Sequence, residues 1–239
     1  MLYNYVMKTT ITMKCPKCGS ANIVRNGKKA YKPQNYLCKD CGRQFIAEHD
    51  RTYNGTKAGV EATIIRALVR GCGIRDVAAI LLVSIGKILS VLINSHYDLK
   101  PIKTHYKRLE IDELWTYVGS KKCRLWLIYA YDRVSGEIVA FVWGDRSAKT
   151  ANRLRERIKE LGVTYDRIAT DDWDSFIKTF AHDNHDVGKE YTVGIEGNNC
   201  RLRHRMRRIF RKSCNFSKKL IYHFNAFRMT MHYVNFGYA

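Results

Sequence analysis

Two Cys-x2-Cys pairs near the N-terminus, a helical apolar period in the middle and three long strand-like runs beyond residue 108 predict a multidomain fold. The expectation is a small zinc ribbon, an all-α helix-turn-helix unit and an α/β domain with a mixed central sheet. Shifts in composition put these at 1–47, 57–97 and 108–239, with linkers at 48–56 and 98–107. At 239 residues the chain has room for one sizeable core, or for one medium domain with small appendages.

The first segment is rich in turn formers and short of apolar runs, so it needs a staple to fold. Cys15, Cys18, Cys38 and Cys41 supply one. Each pair wraps one edge of a tetrahedral ion, and Gly19 and Gly42 follow where a tight turn needs positive φ. Four thiolates leave no open position, which makes the Zn²⁺ structural, and its binding supplies folding free energy. Cys72, Cys123, Cys200 and Cys214 are scattered singly and read as free thiols of a cytosolic protein. Arg25, Lys28, Lys29, Lys32 and Lys39 put positive charge on this segment, suited to a DNA backbone.

In the middle segment Ala62, Ile65 and Leu68 recur at helical spacing, Gly71-Cys72-Gly73 breaks the run, and 74–82 resumes it. Ser84 offers an N-cap for a third helix over 84–94. A helix-turn-helix would place that third helix on DNA, with Lys87 and Ser90 among its few polar side chains. A three-helix packing module or dimer interface is the alternative.

Strands are expected at 111–118, 124–131 and 137–143, the last two joined by a Ser135-Gly136 turn. A helix at 148–161, a short strand at 167–170, a helix at 173–180, a basic helix at 195–211 and a final helix at 217–233 follow.

Three acids stand out against the basic background: Asp112 in the first strand, Asp171 at a strand end and Glu196 at the start of the basic helix. Taken singly, each reads as a surface charge. Together, on a central strand, a strand rim and a facing helix, they form an RNase H-like arrangement able to hold two Mg²⁺ or Mn²⁺ ions. Glu113 rivals Asp112 for the face involved, and Asp172 and Asp174 rival Asp171. Asn199 and Arg203, both candidate DNA contacts, lie one and two turns beyond Glu196 on the same face. Leu202, Met206 and Ile209 form one buried stripe, and Arg201, Arg205, Arg208 and Lys212 a separate basic one. Nine Arg or Lys and no acid occupy 201–219, Lys218 among them, which favours phosphate contact.

The formal net charge is +20, from 42 Lys+Arg against 22 Asp+Glu, and an excess of that size suits a polyanionic partner. No apolar stretch approaches the ~20 residues that span a bilayer. No signal peptide opens the chain, so a membrane partner is set aside and a cytoplasmic, nucleoid-associated protein is expected.

The run CPKCGSANIVRNGKKAYKPQNYLCKDCGRQF resembles the zinc ribbon of bacterial transposases of the insertion sequence one family, and RGCGIRDVAAIL resembles their helix-turn-helix. DELWTYVGSK, RLWLIYAYD, TDDW, IEGNNCRLRHRMRRIFRKSCNFSKK and the following His223 resemble their catalytic domain. The resemblance implies a DDE transposase with an RNase H-like fold, whose acids fall on Asp112, Asp171 and Glu196 and whose DNA-contacting basic residue is Arg203. Where relatives commonly have glycine after the second aspartate, this chain has Asp172. The expected partner is double-stranded DNA, both the element's terminal repeats and the target, bound by a homodimer or larger assembly. An RNase H-like nuclease without strand transfer and a domesticated DNA-binding regulator are the rival readings.

Overall fold

The computed structural model describes residues 13–27, 34–46, 54–209 and 216–238. They fall into two compact units, Met1–Thr56 and Lys57–Ala239. In the first, β1 (Ile23–Arg25), β2 (Asn35–Cys38) and β3 (Gln44–Ile46) form an antiparallel sheet in sequence order. Among the described residues its buried core is Cys15, Cys38 and Phe45, too few apolar groups to fold a chain unaided.

The second unit opens with α1 (Val60–Val69), α2 (Ile74–Leu81) and α3 (Ile85–Asn94). Ser84 caps α3 by accepting from the Lys87 amide at 3.1 Å, as its position predicts. The bend between α2 and α3 is 117°. Ile64, Leu68, Val77, Ile88 and Leu92 pack together and against Ala226 and Met229. Truncating a fully buried member such as Leu92 to alanine costs about 2–5 kcal/mol. The segment at 57–97 therefore shares a core with the end of the chain.

A five-stranded mixed sheet follows: β4 (His105–Tyr117), β5 (Arg124–Asp132), β6 (Glu137–Gly144), β7 (Thr164–Thr170) and β8 (His185–Val187), in the order β6-β5-β4-β7-β8. The first three are antiparallel; β7 and β8 run parallel to β4. Leu109 and Ile111 of β4 face α4 (Ala148–Glu160) and α5 (Asp174–Thr179), through Leu154, Ile158 and Phe176. Leu114 on the opposite face packs with Ile195, Leu202 and Phe227 of α6 (Val193–Arg205) and α7 (Leu220–Phe236). Among the described residues no single helix is long and apolar enough to cross a membrane.

The structure corrects three expected boundaries and adds one strand. β4 begins at His105, inside the expected linker, because Tyr106 and Leu109 are buried while charged neighbours face out. β8 was not anticipated, since three residues carry no readable period. α7 spans Leu220–Phe236 rather than 217–233. The basic helix stops at Arg205, where Met206 leaves helical geometry and a 3₁₀ turn covers Arg207–Ile209. Gly71 abuts that end: its φ is +89°, and a Cβ there would lie 2.9 Å from the His204 carbonyl oxygen. Arg205 donates to the Val69 carbonyl and lies 4.9 Å over the Tyr233 ring, tying the helix end to α1 and α7.

Candidate active site and metal centres

Strand alternation sets the site. Asp112 shares the α6 face of β4 with Glu110 and Leu114, and Glu113 shares the α4 face with Leu109 and Ile111. The parallel ladder between β4 and β7 ends at Ile111 opposite Thr170, so Asp112, Glu113 and Asp171 all lie just past the last registered pair. There Glu113 reaches its neighbours despite pointing to the other face. Carboxylate oxygens of Asp112, Glu113 and Asp171 lie within 4.8 Å of one another.

Each acid is held differently. Asp112 Oδ1 accepts from the Glu113 amide at 2.7 Å and Oδ2 from Asn199 Nδ2 at 2.6 Å. The Tyr129 hydroxyl donates to Asn199 Oδ1 at 2.8 Å and accepts from Asn198 Nδ2 at 3.2 Å, so the amide of Asn199 is oriented with its nitrogen toward Asp112. Glu113 Oε1 accepts from Arg146 Nε at 2.7 Å, and Oε2 is buried without a partner. Asp171 Oδ1 accepts from the Trp173 amide at 3.2 Å. Arg146 lies 4.8 Å over the Trp173 ring and 5.5 Å over Trp126. α6 is anchored beside the site because the buried Glu110 accepts from the Ile195 amide at 2.6 Å, at the positive end of the helix. Gly194 permits this approach, since a Cβ would meet the Glu110 carboxylate at 2.8 Å.

Burial pushes the Asp112 carboxyl up to about 7, helped by the charges of Glu113 and Asp171 and opposed by its two hydrogen bonds. Burial also raises Glu113, with Asp171 adding to the rise and Arg146 opposing it. Three crowded acids, two of them with disfavoured charged forms and one of those with an orphaned oxygen, fit a divalent cation ligated by oxygen.

The ribbon holds a second ligand set. Sulfur atoms of Cys15, Cys18, Cys38 and Cys41 lie within 4.8 Å of one another, with Cys15–Cys41 and Cys18–Cys38 each at 3.6 Å. That is close to the ~3.8 Å edge expected of a tetrahedron with ~2.3 Å Zn–S bonds. Both knuckles close alike: the Gly19 amide donates to the Cys15 carbonyl at 2.8 Å, and the Gly42 amide to that of Cys38 at 2.9 Å. None of the seven described cysteines forms a disulfide. The thiols suit Zn²⁺.

The family described as IS1 transposase matches residues 108–236, more than half of the chain. The chain belongs to the IS1 transposase family. The InsA N-terminal domain, a zinc ribbon, matches residues 8–42. InsB of insertion element IS1 2 from Escherichia coli (strain K12) is 37% identical over 126 residues, which are 53% of this chain and 72% of that protein. InsB of an IS1 element from Shigella flexneri is 37% identical across 53% of this chain and 92% of its own. InsB of iso-IS1n from Shigella dysenteriae is 36% identical over 48% and 86%. A chain of the simian T-cell lymphotropic virus intasome in complex with PP2A regulatory subunit B56 gamma aligns over 65% of this chain and 64% of its own. That alignment has 16% identity and a TM-score of 0.37.

Within this family domain the structure gathers some of the expected residues and not others. Asp171 is in the carboxylate group; Asp172 and Asp174 are exposed and outside it. Glu196 is exposed on α6 and also outside the group, one turn before Asn199. Glu113, read from sequence only as a rival, is inside it. Asn199, expected to contact DNA, is buried against Asp112.

The basic stripe is not a solvated face. Arg201 donates to Asn198 Oδ1 and the Gly136 carbonyl, and Arg205 is engaged as described above. Arg208 donates to Ser217 Oγ and the Tyr222 carbonyl, both at 3.2 Å, and burial brings its guanidinium down to about 10. Lys212 lies outside the described residues. Arg203 is half-buried, and Lys218 is exposed beside a cavity of about 530 Å³ that the carboxylates do not line. Lys87 pairs with Glu61, and Ser90 accepts from Asn94. Arg25 is exposed on β1, whereas Lys28 lies outside the described residues.

His223 is fully buried near Trp143 and Phe227. Burial, with the Arg208 charge, lowers it to about 3, so it is neutral. No sequence signal separates such inward-turned polar groups from surface ones; the buried Tyr129 that orients Asn199 reads simply as an aromatic strand residue.

Proposed function

We propose that this chain is a transposase that binds the ends of an insertion sequence, cleaves there, and transfers the freed strand into target DNA. The observation carrying this reading is the convergence of Asp112 and Asp171 with a further buried acid, in a chain of net charge +20. The order β6-β5-β4-β7-β8, with three antiparallel strands followed by two parallel ones, supports an RNase H-like domain.

Bound Mg²⁺ or Mn²⁺ would supply Lewis-acid charge that activates the attacking oxygen and neutralises the leaving one. The chain's own groups prepare for this. Asn199, oriented by Tyr129, fixes one oxygen of Asp112; Arg146, stacked on Trp173, fixes one oxygen of Glu113. Glu196 stands on the exposed side of α6, one turn from Asn199, where it meets substrate as DNA arrives. Arg203 and Lys218 contact its phosphates. The sharp α2–turn–α3 bend and the exposure of Ser84 and Ser90 on α3 support a helix-turn-helix that reads the element's ends, with the zinc ribbon adding phosphate contacts through Arg25. Joining two ends calls for at least two copies of the chain on DNA.

A strand-transfer assay with pre-nicked terminal-repeat DNA and Mg²⁺ tests this. The wild type should yield joined product, Asp171→Asn should reduce it to background, and unrelated ends should join poorly. Cleavage without joining points to a nuclease, and binding with neither points to a DNA-binding regulator.

A further inference from the structure

We propose that Glu113, with Asp112 and Asp171, forms a divalent-cation site that is complete before DNA binds, and that Arg146 neutralises Glu113 until an ion arrives. This rests on the catalytic reading of the same carboxylates, but it assigns a ligand that the DDE pattern does not include and gives Glu196 a later part.

Three observations carry it. Oxygens of Asp112, Glu113 and Asp171 already lie within 4.8 Å of one another, a group that excludes Glu196. The Glu113 side chain is 8% exposed, yet its Oε2 has no hydrogen-bond partner. A simple ion pair with Arg146 does not explain that atom, because Arg146 Nε satisfies Oε1 and leaves Oε2 desolvated with nothing in return. Then there is charge: three carboxylates against one guanidinium leave a formal −2, which one divalent ion cancels. An all-carboxylate set of hard oxygen donors selects Mg²⁺ or Mn²⁺ over softer metals.

The backbone explains how side chains from opposite faces of one strand share an ion. β7 gives its last registered partner to Ile111, so nothing in that ladder separates the Asp112 face from the Glu113 face at the strand rim. Asp171, the first residue beyond β7, closes the third side. Asn199 holds Asp112 Oδ2, leaving this carboxylate little freedom to turn away.

The test is Mn²⁺ binding to the zinc-loaded full chain without DNA, followed by the electron paramagnetic resonance signal of free Mn²⁺. Glu113→Gln should weaken binding by about tenfold or more, whereas Glu196→Gln should leave it near the wild-type value. Equal weakening by both, or no effect of Glu113→Gln, overturns the assignment. If Glu113→Gln fails to show wild-type near-ultraviolet circular dichroism, Arg146→Gln takes its place. Freeing Glu113 Oε1 should then raise Mn²⁺ affinity severalfold, and an unchanged affinity overturns the pairing. Failure of the two readings is distinguishable. A protein that joins no DNA but shows this Mn²⁺ pattern keeps the site and loses the transposase. One that joins DNA while Glu113→Gln binds Mn²⁺ normally does the reverse.

Discussion

Asp112 shows at the level of one residue what it costs to prepare a cation site. Its folded-state carboxyl sits near 7, against 3.8 as the ordinary value, chiefly because it is buried. Below about pH 4 both folded and unfolded forms carry the proton, and the group has no effect on stability. Between about 4 and 7 the folded form keeps a proton that the unfolded form has lost, so stability falls as pH rises. Above 7 the whole penalty is present, on the order of 2–4 kcal/mol. Without added divalent ions, Asp112→Asn should therefore raise the thermal midpoint at pH 8, with the gain shrinking as pH falls toward 4. Melting curves that differ by the same amount at both pH values would contradict this. The sequence made Asp112 conspicuous as a charge inside an apolar strand. It left Glu113 undecided because alternation assigns it to the other face, and only the end of the β7 ladder brings it round.

At the level of elements, α6 and the turn after it show where periodicity misleads. Leu202, Met206 and Ile209 keep one apolar stripe, and all three are buried, yet the helix ends between the first two. A 3₁₀ turn preserves i, i+3 facing, so the stripe survives a break that the pattern cannot register. Against that helix end lies Gly71, remote in sequence, where a Cβ would meet the His204 and Arg205 carbonyls. The long strands β5 and β6 were legible because β-branched and aromatic runs and a Ser-Gly turn define them locally. Arg208 reads from the sequence as a phosphate contact because charge in a sequence carries no mark of burial. Its guanidinium donates to Ser217 and to the Tyr222 carbonyl. Arg208→Met should lower stability by about 1–3 kcal/mol in denaturant titrations, and leave the salt dependence of DNA binding unchanged. A slope shallower by one counterion would return Arg208 to the DNA surface.

At the level of the whole molecule the two units are stabilised by different physics. Lys57–Ala239 contains three hydrophobic clusters and all four tryptophans, Trp115, Trp126, Trp143 and Trp173. Among its described residues the ribbon has one small cluster, two of whose three buried members are zinc-site cysteines. Its order should depend on the metal, because burying Phe45 and two thiols does not offset the conformational entropy of fixing the surrounding chain. Stripping zinc with a strong thiol-competitive chelator should make four additional thiols reactive, those of Cys15, Cys18, Cys38 and Cys41. Cys72, Cys123 and Cys200, which are half-buried or exposed, should react before and after alike. The near-ultraviolet circular dichroism of the tryptophans should persist, since their packing comes from the sheet and its flanking helices. Fewer than four newly reactive thiols would mean that the cysteine cluster is not a four-thiolate site. Collapse of the tryptophan signal would mean that the larger unit does not hold its core by its own apolar contacts.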